Sequence, residues 1–88
     1  MYEEKVVIAN EIGLHARPAS MFIREAVKYP CDINVVKEGR SYNAKSIMSV
    51  LSMSANKGDE IIIRAHGDND EAAVKALVDL IENKLRDL

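Results

Sequence analysis

The sequence predicts an α+β fold with the element order βαββαβα, an open-faced sandwich in which a four-stranded antiparallel sheet carries its helices on one face. Alternating apolar residues predict the strands, and apolar residues at helical spacing predict the helices. No repeat, linker or low-complexity segment interrupts them. With 48% hydrophobic and 30% charged residues, the 88-residue sequence is expected to form one domain, 1–88, with a modest core.

The four predicted strands are short and bounded by polar loops. They are expected at about residues 3–9, around Ile33 and Val35, at about 41–43, and at 61–66. Glu38 and Gly39 offer a tight turn between the second and third strands, which predicts a hairpin. In the fourth strand Ile61, Ile63 and Ala65 are expected to face the core, and His66 the open face of the sheet.

Two longer helices are predicted. The first covers about Ala16 to Val27, where Pro18 is tolerated only because it lies near the helix start. The last segment carries an amphipathic stripe at helical spacing, and the pair Asp68 and Glu71 resembles a helix-capping pair. The residues of that stripe are Val74, Leu77, Val78, Ile81 and Leu85.

A short helix is predicted within residues 44–53, between the third and fourth strands. At about 100° per residue, Val50 and Met53 fall on one side of this helix. A second cluster, consisting of Ile47, Met48 and Leu51, falls on another side. One side is expected to pack inward and the other to remain exposed as a docking surface.

Composition excludes several classes of function. A net charge of −2 lacks the basic excess of a nucleic-acid-binding protein, so no direct nucleic-acid contact is expected. One cysteine, Cys31, and two separated histidines give no metal-binding spacing, and no glycine-rich nucleotide loop is present, so no metal or cofactor is expected. Cys31 is interpreted as a structural residue. No signal peptide or membrane-spanning run is recognisable, which predicts a cytoplasmic protein without membrane insertion.

His15 is the leading candidate for a chemical role. It lies where the first helix should begin, and a helix N-terminus offers unpaired N–H groups and positive potential to a phosphoryl group. Arg17 could add a charge-assisted clamp. A lone histidine near a helix start is also commonly a solvent-facing or hydrogen-bonding residue, and His66 is interpreted as that kind of surface residue. The arginine beside His15 favours the phosphate hypothesis.

Ser46 has two interpretations from the residues alone. Serine is a common N-cap of helices, where its hydroxyl accepts a backbone N–H bond. The alternative is regulatory phosphorylation, because a phosphoserine would place a charge of about −1.5 to −2 beside the exposed cluster and change which partner binds.

Two motifs resemble those of the HPr family, the histidine-containing phosphocarriers of the bacterial phosphoenolpyruvate:sugar phosphotransferase system. The segment GLHARPA at residues 13–19 resembles the active-site motif, and KSIM at residues 45–48 resembles the regulatory-serine motif of Gram-positive members. The resemblance extends over essentially all 88 residues. Ser49 and Ser54 depart from it, since glycine is common there in the family.

The resemblance implies a phosphoryl carrier in sugar transport rather than an enzyme. His15 would accept a phosphoryl group on Nδ1 from phosphorylated Enzyme I and donate it to the IIA domain of a sugar permease. Arg17 would stabilise that group. Ala16 and Ser20 would help in docking, and the protein would act as a monomer.

The resemblance also implies regulation through Ser46. HPr kinase/phosphorylase would phosphorylate it, and the phosphoprotein would serve the catabolite control protein as a corepressor in carbon catabolite repression and transcription regulation. Ile47, Met48 and Leu51 match the family's docking patch. The alternative function is a corepressor module that acts through Ser46 only, although HPr-like paralogues of that kind lack the histidine.

Overall fold

The computed structural model describes residues 1–88 and contains the predicted elements in the predicted order. Strands β1 to β4 span Tyr2–Val7, Asp32–Lys37, Arg40–Asn43 and Glu60–His66. Helices α1, α2 and α3 span Ala16–Ala26, Ile47–Ser52 and Asp70–Asp79, and a π-helical segment, Leu80–Lys84, continues α3. The α+β prediction is confirmed.

The four strands form one antiparallel sheet in the order β1-β4-β2-β3. Along β4 the side chains of Ile61, Ile63 and Ala65 are buried, whereas Arg64 is half-buried and His66 exposed on the opposite face. This alternation confirms the predicted strand orientation and places His66 on the open face.

The β2–β3 hairpin turns at the two residues predicted for it. Glu38 and Gly39 both have left-handed backbone angles, with φ of 51° and 78°. Two consecutive left-handed residues are the signature of a type I′ turn, whose twist matches that of the paired strands. Lys37 and Arg40 consequently pair directly across the turn.

The helices cover one face of the sheet and close a core of 23 buried hydrophobic residues. Phe22 of α1 and Leu77 of α3 are fully buried in this cluster, together with Ile61 and Ile63 of β4. Cys31, just before β2, is a free thiol with only 3% of its surface exposed, in agreement with its structural interpretation. None of the helices has the length and apolar character needed to cross a bilayer.

The end of the chain corrects one sequence prediction. Asp68 and Glu71 do not form a capping pair: Asn69 is the N-cap of α3, in a left-handed conformation with φ 63°, and it makes no side-chain cap. Asp70 instead accepts a hydrogen bond from the Glu71 amide and lies 3.3 Å from the N-terminal ammonium of Met1. The Asp70 carboxylate at the helix start therefore forms an ion pair with the N-terminal ammonium, which is distant in sequence.

The apolar stripe of the last helix is buried as predicted, but its final part is not α-helical. Beyond Asp79 the backbone widens into the π-helical segment, in which the amide of Leu85 donates to Leu80 O, five residues back, at 2.9 Å. Ile81 and Leu85 are both fully buried. The wider turn keeps these side chains in the core.

Candidate functional site

The first turn of α1 presents two unused backbone donors. His15 is the N-cap residue, in an extended conformation with φ −122° and ψ 163°, and its side chain makes no capping bond. Pro18 has no amide hydrogen, and the Ala19 amide donates to His15 O at 3.4 Å. The N–H groups of Ala16 and Arg17 donate to no other group of the chain. They provide the donors and positive potential that suit an anion beside the histidine.

The backbone at the start of α1 is conformationally unusual. Ala16 has φ 48°, in the left-handed region that a β-carbon disfavours. Ala16 and Arg17 are both exposed, and the Arg17 side chain makes no hydrogen bond or ion pair. Ser20 lies one turn further along α1 and is half-buried. The structure thus groups these three residues with His15 on one helix end, with the guanidinium of Arg17 free.

Only one ring nitrogen of His15 is engaged. Nε2 of His15 lies 2.8 Å from Oδ1 of Asn56. The amide orientation of Asn56 follows from its second bond, in which Nδ2 donates to Ser54 O at 3.1 Å. Since the remaining amide atom is an oxygen and only accepts, the neutral form of the His15 ring carries its proton on Nε2 and keeps the lone pair on Nδ1. Nδ1 has no hydrogen-bond partner in the chain.

Hydrogen bonds with Asp59 and Lys37 hold the loop that carries Asn56. The Asn56 amide donates to Asp59 Oδ2 at 2.8 Å. Lys37 at the end of β2 lies 3.6 Å from that carboxylate and donates to the carbonyl oxygens of Met53 and Ser54, both at 3.4 Å. These contacts hold the Asn56 backbone in place and cap the C-terminal end of α2 with a positive charge.

The same loop is tied to the segment that precedes His15. The Leu14 amide donates to Ala55 O at 2.9 Å, and Lys57 forms a 2.6 Å ion pair with Glu11. The hydrogen bond from Lys57 lowers the pKa of the Glu11 carboxyl. Asn10 is fully buried and donates through Nδ2 to Gly13 O at 3.0 Å. The position of the His15 ring therefore depends on contacts between two loops.

Sequence reasoning did not identify Asn56 as part of this site. The residue lies 41 positions from His15, in a polar loop whose composition suggests only a turn. The one local signal is Asp59 three residues further on, a spacing that allows a loop carboxylate to bond a backbone amide. That signal predicts a tight loop but gives no information about what the loop contacts.

The second predicted site lies at the start of α2, which packs against α1. Ser46 is the N-cap, half-buried, and its Oγ accepts a hydrogen bond from the Ser49 amide at 3.3 Å. The predicted capping role is therefore present in the structure.

Helix α2 has the two predicted faces. Val50 and Met53 are buried, with exposed fractions of 0% and 2%. The other face remains open, and we call its three residues the α2 patch: Ile47, Met48 and Leu51, exposed by 42%, 74% and 38%. An exposed cluster of this kind costs solvation free energy and is typical of an interaction surface.

Comparisons with known proteins point to one family. The family model described as "PTS HPr component phosphorylation site" matches residues 2–83. The chain is 33% identical to the HPr-like protein Crh of Bacillus subtilis over 85 residues, 97% of this chain and 100% of that one. It is 38% identical to the phosphocarrier protein HPr of Pseudomonas aeruginosa over 81 residues, 91% of this chain and 90% of that one.

Solved structures show the same fold. HPr-C-His from Thermoanaerobacter tengcongensis superposes with a TM-score of 0.94 at 46% identity, over 97% of this chain and 96% of that one. An HPr dimer from the same organism matches with a TM-score of 0.77, also at 46% identity, over 97% and 98% of the two chains. The extent of the family match, the sequence identities and the fold together show that the chain belongs to the HPr family of phosphotransferase-system phosphocarriers.

Proposed function

We propose that His15 accepts a phosphoryl group on Nδ1 from phosphorylated Enzyme I and passes it to the IIA domain of a sugar permease. One observation carries the proposal: Nε2 of His15 is engaged by Asn56 while Nδ1 has no partner, and this histidine is the N-cap of a helix whose first two amides are unpaired. A neutral ring nitrogen is a competent nucleophile, and helix-end donors stabilise the phosphate that it receives.

Each neighbour has a role in this proposal. The Ala16 and Arg17 amides donate to the phosphoryl oxygens, and the Arg17 guanidinium adds charge-assisted bonds. Ala16 and Ser20 contribute to the surface that meets the partner. The chain then acts as a carrier, with catalysis supplied by the proteins on either side, and its complexes must be short-lived to allow exchange.

Intact mass spectrometry tests the carrier role. The protein is incubated with Enzyme I and phosphoenolpyruvate, and wild type is compared with His15→Ala and with His66→Ala, a surface-histidine control. We expect one acid-labile phosphoryl group on wild type and His66→Ala and none on His15→Ala. No gain on wild type, with an Enzyme I that phosphorylates another HPr, contradicts the proposal.

We further propose that HPr kinase/phosphorylase phosphorylates Ser46 and that the product binds the catabolite control protein in carbon catabolite repression and transcription regulation. The supporting observation is that Ser46 adjoins the exposed α2 patch. A phosphoserine would add charge at this surface without removing the capping oxygen. An acid-stable mass gain with kinase and ATP, lost in Ser46→Ala and kept in Ser52→Ala, is the expected result. Absence of this gain with an active kinase contradicts it.

The alternative function is a corepressor protein that acts only through Ser46, and the relatives of this chain include proteins named HPr-like as well as phosphocarriers. The observation that favours it is the capped, exposed start of α2, which does not require His15. The two experiments above separate the functions. Phosphorylation of both His15 and Ser46 supports a regulated phosphocarrier, whereas phosphorylation of Ser46 alone supports a protein that acts only as a corepressor.

We also propose that residues 1–88 form one domain that functions as a monomer. We place the protein in the cytoplasm and expect it to make no direct contact with nucleic acid. A single core cluster supports the domain assignment, and serial docking on two partners suits a monomer. Light scattering at micromolar concentration tests the oligomeric state. A mass twice that of the 9.8 kDa chain would contradict the monomer and favour a dimer like that of the T. tengcongensis structure.

A further inference from the structure

We propose that Asn56 is a positioning residue for phosphoryl transfer: its carbonyl oxygen holds the Nε2 proton of His15 and thereby keeps Nδ1 available as the nucleophile. This inference rests on the proposed carrier function and adds a residue to it. The carrying observation is the 2.8 Å contact between Nε2 of His15 and Oδ1 of Asn56.

One other hydrogen bond orients the side-chain amide of Asn56 with its oxygen toward the ring, and a second bond holds the backbone of the residue. Its Nδ2 donates to Ser54 O at 3.1 Å, and its backbone amide donates to Asp59 Oδ2 at 2.8 Å. A flipped amide would turn its NH₂ group toward the ring and its oxygen toward the Ser54 carbonyl, and the Ser54 bond would be lost. An acceptor held in this way selects one tautomer of the neutral histidine ring.

The transfer step needs no proton movement when Nε2 is already protonated. The Nδ1 lone pair of His15 forms the N–P bond while the P–N bond of the donor phosphohistidine breaks, and that electron pair returns to the donor ring. His15 becomes a phosphorylated imidazolium that retains its Nε2 proton. The reverse exchange transfers the phosphoryl group to the acceptor and leaves His15 neutral.

The Asn56 contact gains strength during this step. The Nε2–H group donates from a neutral ring before transfer and from a cationic ring afterwards, and hydrogen bonds from charged donors are about twice as strong as neutral ones. An interaction that strengthens as charge develops lowers the barrier rather than merely binding the ground state. Asn56 therefore favours acceptance of the phosphoryl group and stabilises the cationic ring that results.

Two charged residues near this contact, Asp59 and Lys57, are paired with other groups. Asp59 lies behind the Asn56 backbone and 3.6 Å from Lys37. Lys57, next in sequence, pairs with Glu11 at 2.6 Å. Arg17 on the helix side is free, and it is assigned to the phosphoryl group. Among these neighbours, Asn56 supplies the one hydrogen bond to Nε2.

The first test follows the ring proton and needs no phosphoryl donor. Ring-¹⁵N-labelled protein is examined by NMR near neutral pH in wild type, Asn56→Ala, Asn56→Asp and Asn83→Ala. We expect a protected Nε2 proton in wild type and in Asn56→Asp, which keeps an acceptor oxygen. We expect about tenfold faster exchange with water in Asn56→Ala. Asn83, exposed and bonded only to Asp79, is the matched control and is expected to behave as wild type.

The second test measures phosphorylation by Enzyme I. Asn56→Ala is expected to lower kcat/KM by about tenfold, the effect of losing a hydrogen bond to a charged group, while Asn83→Ala is unchanged. Backbone amide spectra check that the fold is retained. A wild-type rate in Asn56→Ala, or a ring proton as protected there as in wild type, overturns the inference.

Failure of the inference and failure of the proposed function are distinguishable. If wild type takes up no phosphoryl group, the carrier function fails, and the role of Asn56 in transfer fails with it. If wild type is phosphorylated normally and Asn56→Ala equals it in rate, the carrier function stands and only the positioning role is wrong.

Discussion

Gly13 lies so close to the main chain of Ala55 that a β-carbon on Gly13 would stand 2.2 Å from the Ala55 carbonyl oxygen. The same oxygen accepts the Leu14 amide at 2.9 Å. Gly13 also has φ 65°, a left-handed conformation that glycine adopts without a steric cost. This contact sets the separation of the two loops that carry His15 and Asn56.

Gly13→Ala is therefore expected to damage both stability and the site. The methyl group must displace the Ala55 backbone, and the left-handed backbone adds strain, so the free energy of unfolding should fall by more than about 2 kcal/mol. Urea denaturation measures the loss. Gly39→Ala is the matched control, since Gly39 is also left-handed, with φ 78°, but a β-carbon at that position would have no atom within 4 Å. Equal losses in the two variants would contradict the steric argument.

Ser54→Gly is expected to stabilise the protein. Ser54 follows the C-terminal end of α2 with φ 52°, and its amide donates to Leu51 O at 3.2 Å, the arrangement of a left-handed helix cap. Glycine would remove the strain of the β-carbon in this conformation, but it would also give the unfolded chain more freedom. The net effect should raise the free energy of unfolding by about 0.5–1 kcal/mol.

Thermal or urea unfolding measures this gain, and Ser52→Gly is the comparison. Ser52 lies within α2, where glycine is unfavourable, so that variant should lose about 0.5–1 kcal/mol. A loss of stability in Ser54→Gly would show that strain at residue 54 is negligible.

The two faces of α2 are expected to respond differently to truncation. Met48 is 74% exposed, so Met48→Ala should change the free energy of unfolding by less than about 0.5 kcal/mol. If the α2 patch docks partners, the same change should lower kcat/KM for Ser46 phosphorylation by about tenfold. Val50 is fully buried, and Val50→Ala should cost about 2 kcal/mol of stability.

Urea denaturation and a kinase assay give both readouts for each variant. The kinase assay for Val50→Ala is run where that variant remains folded, and its kcat/KM is expected to stay near wild type. An unchanged kcat/KM in Met48→Ala would remove the α2 patch from the kinase interface.

Acid should weaken the contact between β1 and α3 through Glu4. The hydroxyl of Tyr2 donates to Glu4 Oε2 at 2.7 Å, and Lys75 Nζ lies 3.1 Å from the same atom. These two bonds, of which the bond from Tyr2 has the larger effect, lower the pKa of Glu4 below its ordinary value of 4.5. The proximity of Tyr2 and the ion pair with Glu4 correspondingly raise the pKa of Lys75 above its ordinary value.

Because the folded pKa of Glu4 is the lower one, its contribution to stability is complete above the ordinary value and is lost as the pH falls through the folded value. Glu4→Gln should therefore be less stable than wild type at pH 7, and this difference should shrink below about pH 4.5. Urea denaturation across the acid range measures it. A difference that stays constant with pH would mean that the Glu4 charge does not contribute. Tyr2→Phe, which removes one donor, should give a smaller change in the same direction.

Local patterns predicted the elements of this fold accurately. Ile61, Ile63 and Ala65 are buried in alternation because successive strand side chains point to opposite faces. Val50 is buried and Met48 exposed because a helix turns about 100° per residue. Such periodicities depend only on backbone geometry, so they can be read without knowing what packs against them.

Contacts between distant segments were not predictable in this way. Asn69 rather than Asp68 is the N-cap residue of α3, and Asp70 pairs with the N-terminal ammonium. Asn56 reaches His15 across 41 residues, and no local rule pairs two polar loops. In both cases the sequence did not predict the partner of a polar side chain, because that partner depends on how the whole chain packs.

The sequence by itself determined the order of strands and helices, the exposed and buried faces of α2, and the candidacy of His15 and Ser46, since these follow from residue spacing and local chemistry. The tertiary structure alone decided which nitrogen of His15 is engaged, and so which tautomer the neutral ring adopts. That outcome depends on the contact between the loops of Gly13 and Ala55, which brings the Asn56 oxygen to the ring. A histidine tautomer is set by its hydrogen-bond partner, and here the partner is supplied by folding.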